Sequence, residues 1–97
     1  MMLSMYGEGV DFSRAANEEL YAFARAHKKR YSFPEWGVSV DMPTFVQYIC
    51  DFTRSHAAIE LAAYFQSDPS SPWDLEPKLQ SRKTYRSCLT PMGIAVP

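Results

Sequence analysis

The sequence predicts an α/β fold built from parallel strands. Three observations carry that expectation. Apolar residues recur at helical spacing in three separate stretches. Between them lie two short extended runs, one aromatic and one nearly all apolar. Strands alternating with helices imply parallel pairing through right-handed crossovers. Two parallel strands cannot close a sheet or bury both faces, and a (β/α)8 barrel takes about 250 residues. The 97 residues therefore fit a partial barrel, its last two strands with their helices.

The opening segment, residues 1–11, reads as a loop containing Gly7 and Gly9. Asp11 or Ser13 can cap a helix over residues 12–28, in which Phe12, Ala16, Leu20, Phe23 and His27 share a face. Lys28, Lys29 and Arg30 follow it, the polarity that the helix dipole favours. A strand is expected over residues 30–35. Pro34 donates no ladder hydrogen bond, which places it at a strand end or edge. Asp41 is an N-cap candidate for a helix over residues 42–55. Pro43 is tolerated in its first turn, and Phe45, Ile49, Phe52 and His56 form its stripe. "AAIELAAYF", residues 57–65, is apolar enough for a strand covered on both faces. Pro77 suits the start of a last helix over residues 76–89, with Leu79, Tyr85 and Leu89 on one face, and residues 90–97 form an irregular tail.

Composition excludes several classes of function. With net charge −1 and no basic stripe, nucleic acid is not an expected partner. No apolar run reaches the roughly 20 residues of a membrane span. The N-terminus lacks the basic and apolar regions of a signal peptide. Cys50 and Cys88 are too few for a disulfide framework and lack the company of a zinc site, so they read as buried or half-buried thiols. No cofactor or metal cluster is expected. His27 and His56 fall at helix C-termini, where capping or surface placement is the expected role rather than catalysis or metal binding. Asp68 and Asp74 read as turn residues.

The stretch "RYSFPEWGVSVD" concentrates the candidate chemistry. Side chains alternate along a strand. If Glu35 faces a barrel interior, Phe33 and Tyr31 face the same way below it, while Arg30, Ser32 and Pro34 face the helices. Glu35 then stands at the C-terminal mouth of its strand, where barrel enzymes keep functional residues. Glycoside hydrolysis needs two carboxyl groups, and Glu35 can be one of them, as nucleophile. Trp36 can support it or line a sugar site.

"FARAHKKRYSFPEWGV", "DMPTFVQYICDFTRSH" and "IELAAYFQSD", in this order and spacing, resemble the C-terminal part of glycoside hydrolase family 26, the β-mannanase-like group of retaining (β/α)8 enzymes. The resemblance covers residues 12–89 and implies specific roles. Glu35 matches the catalytic nucleophile at the end of the seventh strand. Tyr64 and Phe65 fall at the end of the eighth, where an aromatic platform underlies the sugar, and Trp73 borders the cleft. The family's general acid/base lies on the fourth strand, which has no counterpart here. Glu8, Glu18, Glu19 and Glu60 do not replace it. The chain alone is therefore expected to be nearly inactive, with a polysaccharide as the parent's substrate and with export of that parent. The other expectation is a small non-catalytic α/β protein stabilised by self-association or a partner. A barrel fragment should leave Tyr31, Phe33, Leu61 and Ala63 uncovered, whereas a self-contained domain should cover them.

Overall fold

The structure is a computed structural model that describes residues 5–7, 14–56, 59–64, 66 and 70–92; the side chains of residues 5–7, 34, 35, 60, 61 and 63 lie outside that description. In chain order the elements are β1 (Met5–Gly7), α1 (Arg14–Ala26), β2 (Tyr31–Val38), α2 (Pro43–Ser55), β3 (Ile59–Tyr64) and α3 (Leu79–Thr84). A π-helical turn, Tyr85–Leu89, and a 3₁₀ turn, Thr90–Met92, extend α3. The fold is α/β. The three strands among the described residues are parallel and follow one another in the order β1-β2-β3.

β1 corrects the expectation of an N-terminal loop. Its three residues pair with Trp36, Gly37 and Val38. β2 is therefore the central strand, and Pro34 lies inside it rather than at an end or edge. The ladder adjusts to the missing N–H. Phe33 faces Ala62 and Trp36 faces Tyr64, so three steps on β2 oppose two on β3. This is a β-bulge at Pro34–Glu35. A second irregularity lies earlier, where Tyr31 and Ser32 face Ile59 and Leu61, and there the extra residue is Glu60 on β3. The two offsets cancel.

The bulges set which side chains meet the helices. By strict alternation Phe33 and Trp36 would face opposite ways. Instead Phe33 packs on Phe52 of α2 at 5.8 Å between ring centroids, and Trp36 packs on Phe45 of the same helix at 6.2 Å. Tyr31 meets both Tyr21 of α1 and Phe52. The two helices thus share one face of β2. This overturns the expected orientation, in which Tyr31 and Phe33 pointed away from the helices. Both are wholly buried. Leu61 and Ala63, expected beside them, have side chains outside the described residues.

α2 carries the stripe expected of it: Phe45, Ile49 and Phe52 are buried, joined by Val46 and Cys50. Pro43 stands in its first turn. α1 does not match its expected stripe. Ala16, Phe23 and His27 are exposed, and the buried residues are Asn17 and Ala24, with Leu20 and Tyr21 packed against the core. Asn17 goes inside because its amide is satisfied there. Its Nδ2 donates to the Tyr48 hydroxyl and its Oδ1 accepts from Tyr31 Oη, both at 2.9 Å. Burial, with smaller contributions from Tyr48 and Glu18, pushes the Tyr31 hydroxyl up to about 12. Phe12, Asp11 and Ser13 lie outside the described residues. The histidines cap as expected. His27 Nδ1 donates to the Phe23 carbonyl at 2.9 Å and His56 Nδ1 to that of Phe52 at 3.0 Å.

Asp41 does not cap α2, whose N-cap residue is Met42. Its carboxylate reaches across to α3 instead. There it accepts from Gln80 N at 3.1 Å, Ser81 N at 2.7 Å and Ser81 Oγ at 2.6 Å. Ser81 Oγ in turn accepts from Met42 N at 2.7 Å. Desolvation opposes ionisation of Asp41, but the bonds from Ser81 and Gln80 outweigh it and hold the carboxyl below its usual 3.8. A depressed carboxyl contributes stability above its unfolded pKa and loses it as pH falls through the folded value. Asp41→Ala should therefore cost about 1 kcal/mol near neutral pH, as a lost cap does. Paired urea titrations should show the gap to wild type closing as the pH falls below the ordinary aspartate range. A gap independent of pH would overturn the role given to the ionised group.

α3 begins at Leu79, three residues later than expected, and Leu79 is exposed; Ser81 and Cys88 are the buried positions. Cys50 and Cys88 are not thiols but a disulfide, with Cα atoms 6.1 Å apart, joining α2 to the π-helical turn.

Candidate functional site

The candidate site lies at the C-terminal ends of β2 and β3. The β2 bulge, the last residue of β3 and the loop after it converge there. Trp36 is fully buried. Its indole stacks on Tyr85 at 6.1 Å between centroids and meets the Tyr64 ring edge-on at 4.9 Å. It therefore supports the site from beneath and does not itself line an open sugar surface. Its Nε1 has no hydrogen-bond partner among the described residues.

Tyr64 is the hinge of the cluster. Its hydroxyl donates to the Trp73 carbonyl at 2.8 Å and accepts from Val38 N at 3.3 Å. Burial raises its pKa above the ordinary phenol value, against the lowering effect of the Val38 bond. The Trp73 and Tyr64 rings pack directly over Gly37, and a side chain there would meet them at ordinary contact distance. A Cβ at this position would stand 3.4 Å from Cε3 of Trp73 and 3.7 Å from the Tyr64 ring. Trp36, Tyr64 and Trp73 are thus brought together, two by ring contact and the third through its backbone and its approach to Gly37.

The loop carrying Trp73 is held by its polar groups. Asp74 behaves as a turn residue, accepting from Glu76 N at 3.1 Å and from the Gln66 side-chain amide. Gln66 Oε1 accepts from Leu75 N at 3.0 Å. Lys78 is buried, and its Nζ donates to the carbonyls of Pro72 and Asp74. Desolvation lowers its pKa, and the nearby Asp74 and Asp41 carboxylates resist that fall. The ammonium works here as a clamp on the loop.

Glu35 lies in β2 within the bulged segment, between Phe33 and Trp36; the strand, expected to end at Glu35, continues paired for three more residues to Val38, so Glu35 does not stand at its last position. Its side chain, and the whole of Phe65 and Asp68, fall outside the described residues. Glu60 lies within β3, four residues before its Trp36-paired end at Tyr64, and is not a second carboxylate at the mouth. No group of His, Cys, Asp and Glu able to hold a metal is found among the described residues. No described helix is long and apolar enough to cross a membrane.

Sequence reasoning missed Tyr85, Arg82 and Arg86. With Tyr64, Leu75 and Glu76 they line a cleft of about 400 Å³ beside the aromatic cluster. In the sequence Arg82 and Arg86 show only as two arginines one helical turn apart, a spacing that by itself marks no site. No protein family, no curated protein and no solved structure matches this chain.

Proposed function

We propose that this chain carries the nucleophile half of a retaining glycoside hydrolase of the β-mannanase-like type, its sheet an arc of a (β/α)8 barrel. One observation carries the reading. Glu35 lies in an irregular segment near the C-terminal end of the central strand, with Tyr64 and Trp73 gathered at the same end. Sequential parallel strands with helices on a common face are also the arrangement of a barrel arc. In this reading the Glu35 carboxylate attacks the anomeric carbon of a β-linked mannan-type polysaccharide. The bond to the leaving oxygen breaks, and water later releases the sugar from the glycosyl-enzyme. Protonating the leaving oxygen takes a second carboxyl group, contributed by the rest of the barrel. General acid–base help is worth about 10²–10⁴-fold, so the chain alone hydrolyses mannan hardly at all.

A substrate that leaves without a proton tests this directly. Incubation with 2-deoxy-2-fluoro-β-mannosyl fluoride should form a C1–O bond to Glu35 and expel fluoride, seen as a mass increase on the Glu35 peptide. Glu35→Gln should show none. An adduct elsewhere, or none at saturating reagent, would overturn the assignment.

One observation favours a second reading, a small α/β protein without catalysis, stabilised by self-association or a partner. Tyr31 and Phe33, expected to be bare in a fragment, are wholly covered. An unlabelled Glu35 together with a sharp thermal melt would leave this reading standing.

A further inference from the structure

The cleft beside Tyr64 has a charge pattern that narrows what it can hold. Its polar side chains are mostly committed. The Tyr64 hydroxyl and both ends of the Gln66 amide are used within the fold. Glu76 is neutralised by Arg82, whose Nη1 stands 2.8 Å from Glu76 Oε1 and 3.1 Å from the Glu76 carbonyl. Arg86 is exposed on the turn following α3 and has no carboxylate partner among the described residues. It is the uncompensated charge of the cleft, on a chain whose net charge is −1. Lys83 and Arg86 also border the adjoining groove on the other side of Arg82, so the positive character continues along the helical segment.

We infer that this cleft is a subsite for an acidic sugar, a uronate whose C6 carboxylate is gripped by Arg86. The volume of about 400 Å³ lies within the range of small-molecule sites, roughly 300–1,000 Å³. A guanidinium binds a carboxylate through two parallel hydrogen bonds, a geometry a neutral hydroxymethyl group cannot match. Tyr64, Tyr85 and Leu75 offer the apolar surface that a sugar ring needs and a bare anion does not. The inference deepens the glycoside hydrolase reading and rests on it for the choice of β-linked manno-configured chain. Uncharged mannan then gives way to a uronate-bearing polysaccharide as the substrate class.

The test titrates the full chain with three probes, followed by amide resonances in NMR. One is the β-1,4-linked tetramer of mannuronic acid. Another is the matched mannose tetramer, which differs only in carrying hydroxymethyl groups at C6. The third is tetraglutamate, which has four carboxylates and no sugar ring. The uronate should bind about tenfold more tightly than either other probe, with shifts at Tyr64, Tyr85 and Thr90. Arg86→Gln should weaken it about tenfold, while Arg25→Gln on α1 leaves it unchanged. Higher salt should weaken uronate binding and spare mannose binding. Equal binding of uronate and mannose tetramers would overturn the inference while leaving the hydrolase reading intact. So would equal binding of tetraglutamate. Uronate binding that depends on Arg86, with Glu35 unlabelled, would uphold the subsite and sink the nucleophile. Resonance mapping on the wild type locates the site even if the Arg86 variant folds poorly, and shifts confined to other residues would overturn the inference.

Discussion

Trp36→Ala is expected to lower the unfolding free energy by about 3–5 kcal/mol, the range for deleting a large buried aromatic. That is a large share of the roughly 5–15 kcal/mol that holds a typical domain together. The reason is the position of the ring. It meets Phe45 of α2, Tyr64 of β3 and Tyr85 of the C-terminal turn, so one side chain joins three elements. Removing it empties the point where those elements meet. Trp36→Phe should cost clearly less. Phenylalanine keeps an aromatic ring in place and removes the indole N–H, which is buried without a partner among the described residues, a situation that costs about 1–3 kcal/mol. Urea unfolding followed by circular dichroism measures both. A loss under about 1 kcal/mol for the alanine variant would mean that the cluster is not the core described here.

Reduction of the Cys50–Cys88 bond is the second large effect. The bridge spans 38 residues of sequence. Chain-entropy arguments give about 4 kcal/mol for constraining a loop of that size in the unfolded chain. The urea midpoint should fall markedly when reductant is added, and a Cys50→Ala, Cys88→Ala double variant should match the reduced wild type. Thiol alkylation of the unfolded protein should find nothing to modify unless reductant comes first. A midpoint indifferent to reductant would show that the bridge does not restrain the unfolded chain. Alkylation without reductant would show that it does not form.

The sequence announced some of this architecture and concealed the rest for physical reasons. α2 was legible because a one-sided helix must repeat its apolar residues every three to four positions, and Phe45, Ile49 and Phe52 do so. The histidine caps were legible from position alone. α1 misled because its inward face carries Asn17, which looks like a surface residue until Tyr31 and Tyr48 are seen to satisfy it. β1 is three residues long, too short for any period to register. Asp41 had the right chemistry for a cap, but which helix it caps depends on a contact 40 residues away in sequence. The cysteine pairing depends on the fold in the same way, since spacing does not reveal which helix ends meet. At the site, Glu35, Trp36, Tyr64 and Trp73 were all singled out from sequence. The cleft arginines were not, because nothing local distinguishes a helix-surface arginine from one beside an aromatic pocket.

The paired bulges have a consequence for changes of chain length. Strand β2 carries its surplus residue at Pro34–Glu35 and β3 carries its own at Glu60, so the register returns to its starting offset by Trp36 and Tyr64. The surplus residues can therefore be lost one at a time. Deleting one residue from Pro34–Glu35 would leave two steps opposite two, so Phe33 and Trp36 would keep their partners and share a face by plain alternation. The packing of β2 on α2 does not need the extra residue. The irregular segment around Glu35 does, and shortening the strand there would straighten that segment while sparing the core.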